Sequence, residues 1–177
     1  MNFRTFIVAC AVFTALCALP SGVFAAPASH CGADETIVFT CPVAGQKLLS
    51  ICSSREYGPE RGFMEYRYGP AGKPEMVLPT EKTAPAKAAR SGSWMFSGGG
   101  GAYVEFLNGT TGYYVYTAIG KWGEAGAVLE KAGVAVQKDG KVLVNIRCVG
   151  PETSELGPSF FEELGLAEVE DEFELPE

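Results

Sequence analysis

Histidine is almost missing from this sequence: the only one is His30. A Ser-His-Asp or Cys-His catalyst needs a firmly held base, and His30 lies so near the start of the exported chain that it reads as a loose terminal residue. The same scarcity removes a histidine-based metal site. No Cys-x-x-Cys pair occurs, so zinc-type spacing is absent as well. Beyond residue 25 no apolar run approaches the length of a membrane span. Basic residues stop at Arg147, and Glu152 to Glu177 carries 10 acids and no base. That composition reads as a solvated, partly disordered tail. It also argues against nucleic acid, which requires a basic footprint. Glu56, Glu60, Glu65 and Glu105 could serve carboxylate chemistry, but their spacing singles out no pair. Hence the chain is expected to have no catalytic residues, cofactor or metal, and not to be an enzyme.

An export signal is present at the N-terminus. Arg4 supplies a positive start, Phe6 to Leu19 is apolar, and Pro20-Ser21-Gly22 breaks the run before the small residues at Ala25-Ala26. Residues 1–25 therefore read as a signal peptide, and the product as periplasmic or secreted, without membrane insertion. About 150 residues remain, enough for one domain with a true core. Without Arg4 the net charge is −8, and without the acidic tail the remainder is close to neutral, at +2.

Cys31, Cys41, Cys52 and Cys148 persist after export, an even number in an oxidising compartment, so two disulfides are expected. Three pairings exist. A hairpin turning at Ala44-Gly45 sets Cys41 opposite Leu48 or Leu49, which disfavours a 41–52 bridge. Cys31–Cys52 with Cys41–Cys148 is the preferred pairing.

Short alternating runs separated by turn residues fill the middle of the chain: Thr36–Val43, Lys47–Ser53, Gly62–Tyr68, Glu75–Leu78, Ser93–Ser97, Ala102–Leu107, Gly112–Ala118, Gly133–Gln137 and Lys141–Cys148. Asn108-Gly109 and Asp139-Gly140 are strong hairpin signals. This is the pattern of an all-β, antiparallel sandwich or barrel of about eight short strands. Thr80 to Ser91 reads as an exposed loop. After Gly157, Pro158 and the run to Leu166 predict one short C-terminal helix. The domain is expected over residues 31–150, with an acidic tail over 151–177.

The run Met95-Phe-Ser-Gly-Gly-Gly-Gly-Ala-Tyr-Val-Glu-Phe106 stands out. Ordering four glycines is entropically costly. They can permit positive φ, or let a partner approach the bare backbone. A phosphate cradle is excluded, because no lysine follows and the run leads into a strand. By alternation Val104 and Phe106 face the core and Tyr103 points away. The competing account is a tight corner, with Tyr103 packed on a neighbouring strand. The other strand aromatics are expected to be core or cross-strand packing, and Trp122, in a glycine-rich loop, is expected to be the most exposed aromatic.

Phe96-Ser-Gly-Gly-Gly-Gly-Ala-Tyr-Val-Glu-Phe106 resembles the signature loop of bacterial periplasmic lysozyme inhibitors, particularly those of invertebrate-type lysozyme. Lys47-Leu-Leu-Ser-Ile-Cys52, Gly62-Phe-Met-Glu-Tyr-Arg-Tyr-Gly69, Pro74-Glu-Met-Val-Leu-Pro79, Gly112-Tyr-Tyr-Val-Tyr-Thr-Ala-Ile-Gly120 and Gly133-Val-Ala-Val-Gln-Lys-Asp-Gly-Lys141 extend the resemblance, in order, from about Cys41 to Cys148. It implies an antiparallel β domain that inserts a Ser/Gly loop ending in tyrosine into the lysozyme cleft. In related inhibitors the loop reads Ser-Gly-x-x-Tyr. Aligned on Tyr103, its serine falls at Gly99, and Ser97 is the nearest serine. The implied contact set is Ser97, Gly98, Gly99, Gly100, Gly101 and Tyr103, to which the exposed-aromatic reading adds Trp122. The implied partner is a lysozyme, the invertebrate type first, and a homodimer is compatible with this reading. A non-inhibitory envelope module recognising glycan or protein is the alternative.

Overall fold

A computed structural model describes residues 28–169 and 173–176. The expected signal, residues 1–25, lies outside the described residues. Among the described residues, eleven strands form two sheets. The first sheet contains β1 (Glu35–Val43), β2 (Lys47–Ser54), β3 (Met64–Pro70) and β4 (Met76–Leu78). The second contains β5 (Arg90–Phe96), β6 (Gly99–Asn108), β7 (Thr111–Gly120), β8 (Leu129–Lys138) and β9 (Lys141–Arg147). β10 (Thr153–Ser154) adds to β1, so the first sheet runs β10-β1-β2-β3-β4. β11 (Ala167–Glu168) adds to β5, so the second runs β11-β5-β6-β7-β8-β9. All pairings are antiparallel except β11 with β5.

Local chemistry sets the hairpins. Asp139 and Gly140 both take positive φ, at 52° and 70°, in the two-residue turn between β8 and β9, the geometry that suits the twist of paired strands. Gly109 opens the β6–β7 turn at φ 62°. Cys41 pairs with Leu49 across β1–β2, which leaves it free to bond elsewhere. The disulfides are Cys31–Cys52 and Cys41–Cys148, with Cα separations of 5.3 and 5.7 Å, the preferred pairing.

The sheets enclose a core that includes Val38, Phe39, Leu49, Ile51, Tyr66, Val104, Phe106, Val115 and Val134. Helix α2 (Pro158–Leu164) docks through Phe161 and Leu164 and ends at Gly165, whose φ of 60° suits a glycine cap. Two expectations differ. The Thr80–Ser91 loop contains a one-turn helix, α1 (Pro85–Ala88), and β5 already starts at Arg90. His30 is not loose: its backbone N–H donates to Ser50 Oγ at 3.1 Å, and its Nε2 lies 3.2 and 3.1 Å from the carbonyls of Leu48 and Gly69.

The described part of residues 151–177 is not a solvated tail. It contributes β10, α2 and β11 and ends with Phe173 buried against the second sheet. Acid-rich composition predicts solvation only if no apolar side chain finds a cover, and Phe161, Leu164, Leu166 and Phe173 all do. Among the described residues no helix is long and apolar enough to cross a membrane.

Candidate functional site

Ser97 and Gly98 form the two-residue turn between β5 and β6, with Phe96 opposite Gly99. Gly98 takes φ 87°, where a side chain is strained. Gly99, Gly100 and Gly101 continue as ordinary strand. Their missing side chains make room for neighbours. A Cβ on Gly99 would lie 2.6 Å from Phe96 Cε2, and one on Gly101 would lie 2.6 Å from Trp94 Cζ3. The same device recurs at Gly92, where a Cβ would meet the Tyr103 phenol at 2.3 Å. Aromatic rings thus lie across bare backbone on the adjacent strand. Positive φ explains Gly98, and close packing explains the next three.

The turn itself is open. Ser97 and Gly98 are exposed, Phe96 is 37% exposed and Met95 is 89% exposed. Met95 belongs to the core-facing alternation of β5, so its exposure means that the second sheet extends past the first here. Under this overhang lies an apolar groove of about 740 Å³, walled by Met95, Gly100, Thr117, Ile119, Leu156 and Pro158. Trp122 also reaches the tip. It is half-buried rather than the most exposed aromatic, because its ring lies 5.5 Å from Phe96 and 4.8 Å from the Lys131 ammonium.

Tyr103 lies elsewhere. Alternation puts it, as expected, on the face opposite Val104 and Phe106, but it is not exposed. It is 6% accessible and belongs to a second cluster with Tyr114, Tyr116, Ala135 and Phe173. Phe173 stacks on Tyr114 with centroids 4.8 Å apart and planes 3° apart, and its ring lies 4.9 Å from Tyr103 and 5.8 Å from Trp94. The expectation of an outward, reachable phenol is therefore corrected: the C-terminal segment covers it. Nothing in the β6 sequence could signal this, since the covering residue is seventy positions away. Burying one phenylalanine ring is worth about 1.5–3 kcal/mol. The structure thus brings together Ser97, Gly98 to Gly101 and Trp122 at the tip, and places Tyr103 further along the sheet beneath Phe173.

Beside that cluster the carboxylate of Glu105, 2% exposed, accepts a hydrogen bond from Arg90 Nε at 2.8 Å and forms an ion pair with Arg90 Nη2 at 2.6 Å. Burial, then hydrogen bonding to Glu105, pushes the Tyr114 phenol above its ordinary range, so it stays neutral at physiological pH. Glu65 lies on the first sheet, where Arg67 bonds both it and Glu35, the latter at 2.6 Å. The Arg67 hydrogen bond holds the Glu35 carboxyl below the usual carboxylate range. Glu56 and Glu60 are exposed. The four carboxylates considered in the sequence do not converge. One group of metal-type ligands clusters among the described residues, Cys31, Glu35 and Cys52, but its sulfurs are joined in a disulfide and its carboxylate is paired with Arg67.

These features define a disulfide-bonded β-sandwich with an exposed, glycine-lined hairpin tip. Compared with known proteins, the chain matches no family model, no curated protein and no solved structure.

Proposed function

We propose that this protein is a periplasmic or secreted, non-catalytic inhibitor of lysozyme, which blocks the active-site cleft with the β5–β6 hairpin. The observation that carries the reading is the exposed Ser97–Gly98 turn, backed by glycines that add no bulk. A lysozyme cleft presents two carboxyl groups flanking the scissile bond. A narrow tip offering a hydroxyl and backbone N–H groups suits that target, and hydrogen bonds to a charged carboxylate are worth about 1.5–3 kcal/mol each. Phe96, Met95 and Trp122 flank the tip and supply apolar contact around it. The resemblance of the Phe96–Phe106 run to inhibitor loops supports the choice of partner, with invertebrate-type lysozyme first.

The test is a titration of the mature protein against lysozymes of invertebrate, chicken and goose types. Stoichiometric inhibition of at least one is expected. No inhibition of any at micromolar concentration rejects the reading. A second reading, an envelope module that stacks glycan on Phe96 and Trp122, is favoured by the exposure of Phe96 beside the half-buried Trp122 ring at one edge. Binding to purified peptidoglycan without binding to lysozyme selects it.

A further inference from the structure

The aromatic face around Tyr103 differs in kind from the core between the sheets. That core is built mainly from Val, Leu, Ile, Phe and Met. The outer face presents Trp94, Tyr103, Tyr114 and Tyr116, each with a polar handle on a flat apolar body. Such residues suit surfaces that meet another molecule and water by turns, and they dominate the centres of protein interfaces. Left bare they would form a contiguous apolar patch of the sort that marks an interaction site.

What covers them is slight. Among the described residues, β11 pairs with β5 through two residues only, and Val169 N–H donates to Ser91 at 2.9 Å. Beyond it, Phe173 is the buried anchor, 2% exposed, with Val169 and Leu175 packed at its sides. No disulfide ties this segment down, since all four cysteines of residues 28–177 are bonded upstream of it. Its neighbours in sequence are mostly glutamate, which gain nothing from an aromatic wall. The arrangement is that of one aromatic side chain, Phe173, seated among the rings of Trp94, Tyr103 and Tyr114.

We infer that the outer aromatic face is a protein-binding site, that the chain's own C-terminal segment occupies it as a ligand in cis, and that the partner gains this face only when the segment leaves. The inference rests on the lysozyme reading for the identity of the partner. The exposed tip makes first contact, and the Trp94–Tyr103 face lies along the same sheet, within reach of the same partner. Apparent affinity is then reduced by the fraction of molecules that are uncovered. With one ring as anchor, that fraction is about one in ten to one in a hundred.

The experiment uses the full mature chain and two variants, Phe173→Asp and Phe173→Leu, with a labelled synthetic peptide spanning residues 169–177. Three quantities are measured: anisotropy of the peptide with each protein, acrylamide quenching of tryptophan, and inhibition of the lysozyme that the unaltered chain inhibits best. Phe173→Asp is expected to bind the peptide at micromolar concentration, to quench more readily and to inhibit about 10- to 100-fold more tightly. Phe173→Leu should fall between. The unaltered chain should bind the peptide at least tenfold more weakly, and saturating peptide should weaken its inhibition. A peptide with alanine in place of its phenylalanine should do neither. The unaltered-chain arm decides the matter even where a variant misfolds. Unchanged inhibition in Phe173→Asp, or no effect of free peptide, overturns the inference. If no lysozyme is inhibited by any form while the peptide still binds Phe173→Asp, the cis-ligand site stands and the inhibitor reading falls.

Discussion

Each sheet has its outer face covered by one end of the chain, and the two covers are held in opposite ways. Over the first sheet the N-terminal segment is polar and fixed. Thr40 Oγ1 donates to the Ala28 carbonyl at 2.9 Å, Arg67 Nη1 donates to the His30 carbonyl at 2.9 Å, and Cys31 is bonded covalently to Cys52. Over the second sheet the described C-terminal residues are held by the two-residue β11–β5 pairing and by the apolar ring of Phe173. Covalent and directional bonds make the first cover part of the fold. One short strand pairing, one backbone hydrogen bond beyond it and the Phe173 ring, with no covalent bond, make the second one the more separable. Which face can serve a partner therefore depends on how each cover is attached, not on how well each is buried.

The contrast can be broken by mutation, beginning with the largest effect. Tyr103→Ala opens a hole among Trp94, Tyr114 and Phe173 and should cost about 3–5 kcal/mol in denaturant unfolding, as for other large aromatic truncations. A loss below about 1 kcal/mol would mean that the outer cluster is loosely packed. Replacing Cys31 and Cys52 by serine opens a loop of 21 residues and should cost about 3 kcal/mol in the same assay. Phe173→Ala should cost less, about 1.5–3 kcal/mol. In hydrogen exchange the Val169 amide of the unaltered chain should open well before the His30 amide. Equal protection would erase the distinction between the two covers.

Acid should act mainly on the first cover. The Glu35 carboxyl is held below its ordinary value of 4.5 by Arg67. Above that value the unfolded chain also carries the charge, and the full contribution is present. As pH falls below 4.5 the unfolded state takes up the proton first, and stability is lost down through the folded-state pKa. Unfolding midpoints between pH 7 and 3 should therefore drop, and Glu35→Gln should flatten the drop. The smallest effect belongs to Ser97→Ala. At an exposed turn it should change stability by less than about 0.5 kcal/mol, while weakening lysozyme inhibition severalfold.

The strands were legible because their signals are local. Asp139-Gly140 sits at one turn, Cys41 faces Leu49 where the Ala44-Gly45 hairpin predicts, and alternation assigns Val104 and Phe106 to the core. The β5–β6 hairpin was legible only in part: its second strand was expected from Ala102, whereas Gly99 to Gly101 already belong to it. Missed features depend on partners distant in sequence. His30 is held by β2 and β3 carbonyls, and Tyr103 lies under Phe173. One phenylalanine in a run of acids carries no periodicity, so the sequence of residues 169–177 shows charge and conceals the anchor.

The Cys41–Cys148 bond closes a ring of chain that contains every strand from β2 to β9. A protease that cut between Glu168 and Phe173 would leave this ring whole, yet would free the last residues to diffuse away. Such trimming would be irreversible, turning a balance between two forms into a permanent commitment to one.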